Sequence, residues 1–401
     1  MVEWKKLGDL GSFENIGVDK KIVDGEKLVT LLNYVDVYHN KNIDSSIPQM
    51  QVSAPEKKIQ ACTVEQGDIF VTPTSETIDD IGHSSIITET IPHAVYSYHI
   101  MRYRLFEKNM LLSYYINYTF DTYNIKQQIL KKAQGLTRFG LSKDKFASIL
   151  IPIPSLSEQS RIVSILDTFT SSISNLKQQI EERRKQYEYE RNLLLDLEGK
   201  EGVEMKKLGE VGVFIRGNGI QKADFVEEGY SCIHYGQIHA RYGFSAKEAI
   251  SKIEESLYKK CKKAKTGDVI LATTSEDAEG VAKPFVWLGE EDVAVSGDAF
   301  IYHHNQIGKF MGYQFLTRKF MQFKVKYATG AKVVRISGDN MAKFEIPLPP
   351  LSTQSRIVAI LDTFEQSISN LEEQLAMREK QYEYYRNQLL TFEGEEERGK
   401  T

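Results

Sequence analysis

The chain has 401 residues, 26% charged and 41% hydrophobic, which is enough for two domains with real cores and ordinary for a globular protein. A net charge of −4 excludes a global field that pulls the chain to nucleic acid or to an anionic membrane, so any nucleic-acid site has to be a local basic patch. Cys62, Cys232 and Cys261 are too few and too scattered for a disulfide framework or a paired-cysteine metal site, and no apolar run approaches the ~20 residues of a bilayer span.

No signal peptide is read at Met1, so the expectation is a cytoplasmic protein with reduced thiols. A first domain is expected over residues 1–150. It opens VEWKKLGDLGSF at residues 2–13 and carries strand signals in KLVTLLNYVDVY, ACTVEQGDIFVTPT and HAVYSYHIMRYRLF, which are rich in Val, Ile, Thr and Tyr. Residues 109–134 shift to a helical pattern through Leu112, Tyr115, Ile116, Ile129 and Leu130, with Gly135 as a natural stop. Pro152 and Pro154 then punctuate the chain, and Ser157 stands where an N-cap belongs.

Residues 151–199 form the first long helix. Its seam runs Leu166, Phe169, Ile173, Leu176, Ile180, Arg183, Tyr187, Glu190, Leu194, Leu197, an unbroken alternation of steps of three and four. That is a coiled-coil heptad. From Ser157 to Glu198 it predicts a helix of ~63 Å at 1.5 Å per residue.

The chain then repeats itself. A second domain is expected over residues 203–345, opening VEMKKLGEVGVF, with strand signals in YSCIHYGQI, GDVILATT, PFVWLG and AFIYHH. A helical stretch follows at 308–328, stopped by Gly330. Residues 346–394 form a second long helix, identical to residues 151–199 at 33 of 49 positions, with Ser352 as its expected N-cap. Its seam reads Leu361, Phe364, Ile368, Leu371, Leu375, Arg378, Tyr382, Tyr385, Leu389, Phe392. Residues 395–401 read as a frayed tail. A seam this long needs a partner, and the other copy supplies one; a pseudo-twofold axis makes the pair antiparallel, with a domain at each end of a rod. Two domains that keep a frame and vary their content suggest one scaffold used for two targets.

Charge is uneven. Residues 1–101 hold 8 Lys and Arg against 15 Asp and Glu, residues 102–145 hold 9 against 3, and residues 306–343 hold 8 against 1. The basic patch recurs at the same place in both repeats, which points to nucleic acid. Lys131, Lys132, Lys319, Lys324 and Lys326 suit phosphates, which position without specifying. Arg138, Lys143, Lys332 and Arg335, expected on irregular segments with the two arginines at similar sites, could reach base edges. Thr74 and Ser75 match Thr274 and Ser275, and Tyr34 matches Tyr235, each tyrosine being followed two residues on by a polar side chain, Asp36 or Gln237.

Catalytic patterns fail. GEEERGKT at the end of the chain fits a phosphate-binding loop, but it needs a strand before it and a helix after it. Glu3-x-Lys5 and Glu204-x-Lys206 resemble the tail of a nuclease site without its upstream acid. No methyltransferase signature, glycine-rich cofactor loop or zinc ligand set is legible, and the histidines, among them His39, His83, His93 and His99, have no catalytic frame. No catalytic residue and no metal ligand is expected.

Taken together, the opening KKLG…GxF, the GDxxxxxTSE segment and the duplicated IPxP…QSRIV…LD…ISNL…QYEYxRN helix resemble the specificity (S) subunits of type I restriction–modification systems, over essentially the whole chain. The resemblance implies an α+β fold: two mixed α/β target recognition domains joined by two long antiparallel helices in an intramolecular coiled coil. It implies no catalysis by the chain itself. Each domain reads one half of a bipartite asymmetric double-stranded DNA site, and the helices set the spacing and dock two methyltransferase (M) subunits. S-adenosylmethionine belongs to M, and ATP and Mg to the restriction (R) subunits, whose presence the sequence leaves open. Two rivals remain: a bifunctional enzyme of the same lineage, and a non-catalytic tandem adaptor that binds proteins through its coiled coil.

Overall fold

The computed structural model describes residues 2–330 and 333–392. Lys332 and the tail 395–401 lie outside the described residues. The chain divides into two compact units, one of Met1–Lys177 with Gln374–Thr401 (unit 1) and one of Gln178–Glu373 (unit 2). Both long helices, Leu156–Leu195 and Leu351–Leu390, contribute to both units.

In unit 1 the strand Glu3–Lys6 runs antiparallel to Leu150–Ile153, so the start of the domain is tied to its end. The main sheet orders Gly11–Glu14, Met101–Leu105, Ile69–Val71, Ser84–Ile87 and Asn42–Ile43. Its central strand, Ile69-Phe70-Val71, is wholly buried, as a continuous apolar run requires when both faces are covered. Each such side chain contributes roughly 1.5–3 kcal/mol. A smaller sheet of Met50–Ala54, Lys27–Leu32 and Ala94–Tyr96 packs a separate core around Leu31, Val52 and Val95.

Unit 2 repeats this plan. Glu204–Lys207 pairs with Glu345–Leu348. Gly212–Arg216, Ala299–His304, Val269–Ala272, Lys283–Trp287 and Ser245–Ala246 form the main sheet in the same spatial order. The second sheet is widened to five strands by Phe225–Val226 and Lys263–Ala264.

Three local expectations are corrected. Residues 109–134 hold two helices, Met110–Thr119 and Tyr123–Lys132, and residues 308–328 hold Gly308–Gln314 and Arg318–Tyr327. A threonine breaks each pair: the Thr122 hydroxyl donates to Thr119 O at 2.7 Å and accepts from Ile125 N, and Thr317 does the same with Gln314 O at 2.8 Å and Phe320 N. The long helices begin at Leu156 and Leu351, so Ser157 and Ser352 lie inside the first turn; Ser155 Oγ accepts from Glu158 N at 3.4 Å instead. They end at Leu195 and Leu390, which leaves Leu197 and Phe392 beyond the helical seam although both still pack in a core.

The helices pair antiparallel within each unit. In unit 1, Phe169 meets the rings of Tyr385 at 5.4 Å and Tyr382 at 6.5 Å, and Lys177 pairs with Glu379 at 3.2 Å. In unit 2, Tyr187 meets Phe364 at 6.3 Å and donates to Glu365 at 3.0 Å, and Arg184 pairs with Glu372 at 2.6 Å. Leu166, Ile180 and Leu361 are buried, and Ile173, Leu176, Ile368, Leu371 and Leu375 are half-buried along the seam. Arg378, a charged seam position, lies over the Phe169 ring at 5.6 Å.

Candidate nucleic-acid interface

Tyr34 and Tyr235 each open a short helix, Tyr34–His39 and Tyr235–Ala240. Both helices start with a reciprocal cap. Asn33 Oδ1 accepts from Val35 N and Asp36 Oδ2 accepts from Asn33 N, both at 2.9 Å. In unit 2, His234 Nδ1 accepts from Gly236 N at 3.1 Å and Gln237 Oε1 from His234 N at 3.2 Å. The polar residue two places after each tyrosine is therefore a helix cap. Burial holds the His234 imidazole below its usual pKa, which keeps it an acceptor.

Thr74–Ser75 and Thr274–Ser275 are two-residue strands, each paired with a hairpin from the end of its domain. Gly140 stands opposite Thr74 and Phe139 opposite Ser75; Arg335 stands opposite Thr274 and Val334 opposite Ser275. The hairpins are closed by reciprocal backbone bonds, Gln134 with Gly140 (3.0 and 2.8 Å) and Thr329 with Arg335 (2.9 and 2.8 Å). Gly135 (φ +139°) and Gly330 (φ +115°) turn them, and a Cβ at either would sit 2.0 Å from the carbonyl oxygen of Arg138 or Val333. These glycines shape the hairpins rather than stop the helices, which end earlier, at Lys132 and Tyr327.

This register corrects the pairing of the two arginines. Arg335 is the counterpart of Gly140, and Arg138 that of Val333, so they sit two residues apart on matching hairpins.

In unit 1 these parts enclose a cleft of about 470 Å³. Tyr34, Thr74, Ser75 and Arg138, all expected from sequence, line it together with Tyr38, Glu76, Thr77, Asp80 and His99. Arg138 Nη2 donates to Thr74 Oγ1 at 3.4 Å. The Tyr34 hydroxyl hydrogen-bonds Ser75 and Thr72 and is pushed up in pKa chiefly by burial. Tyr38 stacks on Tyr34 at 5.8 Å and meets His83 at 4.4 Å. Asp80 accepts from Thr77 Oγ1 at 2.7 Å and faces His83 Nε2 at 3.5 Å; the Thr77 bond, then His83, hold its carboxyl below the usual range. His99 is held below the ordinary imidazole pKa by burial, then by Lys20 and Arg138. The cleft thus offers ionised acceptors, hydroxyls and a guanidinium within one wall.

At the matching place in unit 2, His239 Nε2 lies 3.0 Å from Thr274 O, and Thr274 Oγ1 donates to Asp298 Oδ1 at 3.3 Å. Arg216 faces Asp298 at 3.9 Å and donates to Gly297 O at 2.9 Å. Lys283 Nζ donates to His239 O at 3.1 Å. Arg335 is exposed, with no side-chain partner among the described residues.

The lysines divide. Lys131 and Lys326 are exposed on their helices, Lys132 is half-buried, and Lys143 is exposed but opens the helix Lys143–Ala147 rather than an irregular segment. Lys319 is engaged by Glu198 at 2.7 Å and Asp196 at 3.5 Å. Lys324 departs from the expectation: it is 2% exposed, and its ammonium donates inward to Glu279 O and to Val281 O at 2.9 Å. Its charge serves the domain interior, not a phosphate.

Sequence reasoning missed Tyr38, Thr77, Asp80 and His99, and in unit 2 Arg216, His239, Lys283 and Asp298. None repeats between the halves, so no recurrence marked them; Thr77 and Asp80 follow the Thr74–Ser75 strand directly, and the others reach the Thr-Ser strands only through the fold. The three cysteines are buried and free, with the Cys232 thiol pushed up to about 12 by burial. Among the described residues no helix is long and apolar enough to cross a membrane, and no group of three or more His, Cys, Asp or Glu could hold a metal ion.

The chain matches the model of the type I restriction modification DNA specificity domain twice, over residues 1–183 and 200–377. It is 31% identical over 256 residues to the type I restriction enzyme EcoR124I/EcoR124II specificity subunit of Escherichia coli, covering 60% of this chain and 63% of that one. This chain therefore spans less than two thirds of that relative's length. In fold it is similar to the S subunit of a type I restriction-modification system from M. genitalium (TM-score 0.56, 13% identity, 98% of this chain and 97% of that one). A second solved chain, from work on complex assembly and conformational transition of the type I R-M system, has a TM-score of 0.56 at 17% identity and covers 97% of this chain and 96% of its own.

Proposed function

The chain belongs to the type I restriction modification DNA specificity family, and from that premise we propose that it is the sequence-reading subunit of such a complex. Each domain reads one half of a bipartite double-stranded DNA site. The paired helices set the interval between the halves and dock two methyltransferase subunits, and restriction subunits join where the system cleaves. The chain itself is non-catalytic: S-adenosylmethionine would be held by the methyltransferase, and ATP with Mg by the restriction subunit. The complex acts in the cytoplasm, on chromosomal or incoming DNA.

The observation that supports this reading is the recurrence of one constellation in both units. A tyrosine opens a capped helix, a Thr-Ser strand runs beside it, and a rigid hairpin brings an arginine to that strand. Hydroxyls, carboxylates and guanidinium groups on a cleft wall are the donors and acceptors that read base edges, while exposed lysines such as Lys131 and Lys326 suit the backbone. One scaffold with two different fillings is what an asymmetric two-part site demands.

The test is DNA binding by the full chain co-expressed with its methyltransferase, measured across salt. The expected outcome is a steep loss of affinity with salt and a strong preference for one two-part sequence. A complex that binds all sequences alike would rule the reading out.

A further inference from the structure

The two domains are copies, yet a bipartite asymmetric site asks them to prefer different bases. Residues common to both units cannot supply that difference. Register identifies which residues are common.

Gly82 N donates to Thr72 O at 2.9 Å and Ala282 N to Ala272 O at 2.8 Å, and both residues lie in the left-handed region (φ +86° and +58°). The segment from the Thr-Ser strand to this turn therefore keeps one offset, so Asp80 corresponds to Gly280 and His83 to Lys283. Val18 bridges Ser97 as Asn218 bridges Ser296, so His99 corresponds to Asp298. The hairpins place Arg335 where unit 1 has Gly140.

What remains the same is a frame of Tyr34, Thr74, Ser75 and Glu76 against Tyr235, Thr274, Ser275 and Glu276. Around it the chemistry changes. Unit 1 has the Asp80 carboxylate, with about one of its roughly four lone-pair sites left after Thr77, His83 and Tyr38. Unit 2 has a bare glycine there, while Asp298 takes the Thr274 hydroxyl at 3.3 Å and Asp277 takes Gly280 N at 2.6 Å. Where unit 1 has Gly140 it offers the exposed Arg335, on a hairpin strand held by two backbone bonds.

Resting on the proposed DNA-reading function, we propose that base preference is set where the surroundings of the two Thr-Ser strands differ: by Arg335 in unit 2, which takes the acceptor edge of a guanine, and by Asp80 in unit 1, which takes the amino edge of a cytosine or adenine. The shared Tyr-Thr-Ser-Glu frame does not discriminate between the half-sites. A guanidinium fork matches the two guanine acceptors, and a carboxylate accepts from an exocyclic amino group.

The experiment maps methylated sites genome-wide in cells that carry the full chain with its methyltransferase, comparing wild type with R335Q, R335K, D80N and Y34F. Arg335 is exposed and D80N keeps an acceptor for Thr77, so neither change empties a core. R335Q is expected to lower preference for guanine at one position of one half-site by about tenfold or more, with R335K intermediate. D80N is expected to relax one position of the other half-site. Y34F is expected to lower the extent of methylation with both half-motifs intact. Half-motifs that stay as in wild type for R335Q, R335K and D80N, or a changed base preference in Y34F, would overturn the assignment while the two-part motif still stood. A wild-type map without any two-part motif would instead defeat the DNA-reading function itself.

Discussion

Tyr118, at the end of a domain helix, donates its hydroxyl to Asp167 on the first long helix at 2.5 Å. Burial, first, and then the Asp167 hydrogen bond push the phenol well above its ordinary pKa, so it stays a donor at any physiological pH. The repeat keeps the device: the Tyr313 hydroxyl donates to Glu365 at 3.1 Å and lies 3.4 Å from Asp362. Each domain is thus keyed to the helix face beside it by a buried tyrosine. Tyr118→Phe leaves Asp167 without this donor and should cost roughly 1–3 kcal/mol. Urea unfolding followed by domain fluorescence checks this; an unchanged midpoint would mean the bond is incidental.

Lys324 gives a pH dependence. Burial pushes its ammonium down to about 8. The folded value lies below the unfolded one, so between them the unfolded chain holds a proton that the folded chain has released. The cost of burying this charge is complete below about pH 8 and fades as pH rises toward the unfolded value. Lys324→Met should lose that dependence, so the stability gap between the two proteins should move in favour of wild type from pH 7 to pH 10. Because the amine faces inward, the same variant should leave the salt slope of DNA binding unchanged. A reduced slope would place Lys324 at the backbone after all.

Gly135 carries a conformational prediction. Its φ of +139° is disfavoured for other residues, and an added Cβ would meet the Arg138 carbonyl at 2.0 Å. Gly135→Ala should cost more than about 1 kcal/mol locally, distort the hairpin that presents Arg138, and weaken DNA binding. Helix pairing should be untouched. Affinity measurements beside helical circular dichroism separate the two effects.

The heptad seam predicts a spacing effect. Removing one heptad from each long helix keeps the phase of the seam positions, such as Phe169 and Tyr382. The preferred interval between half-sites should change while the half-site sequences persist. Methylation mapping that shows the original interval would discard the helices as the ruler.

The long helices were legible because a seam of ten positions at unbroken heptad spacing recurs in both copies, and the Thr-Ser strands were legible because they recur. What failed was local or three-dimensional. Thr122 and Thr317 broke helices that periodicity alone ran through, since a cap competes with propagation over only a few residues. Lys324 looked like surface because charge was counted along the chain, whereas carbonyls from residues 279 and 281 receive it. His99 carried no signal because only the fold brings it to the Thr-Ser strand, and Asp80, close along the chain, has a glycine as its counterpart in the repeat. Arg138 and Arg335 looked equivalent by type, but hairpin register sets them two residues apart.

The buried core of unit 1 includes Leu390 beside Ile162 and Leu166. During synthesis the apolar surface of unit 1 therefore closes only after the second long helix has been made. Until then Leu166 and its neighbours are sticky, a window in which chaperones compete with aggregation. A chain that stops before Leu390 leaves Ile162 and Leu166 without that cover from its own sequence.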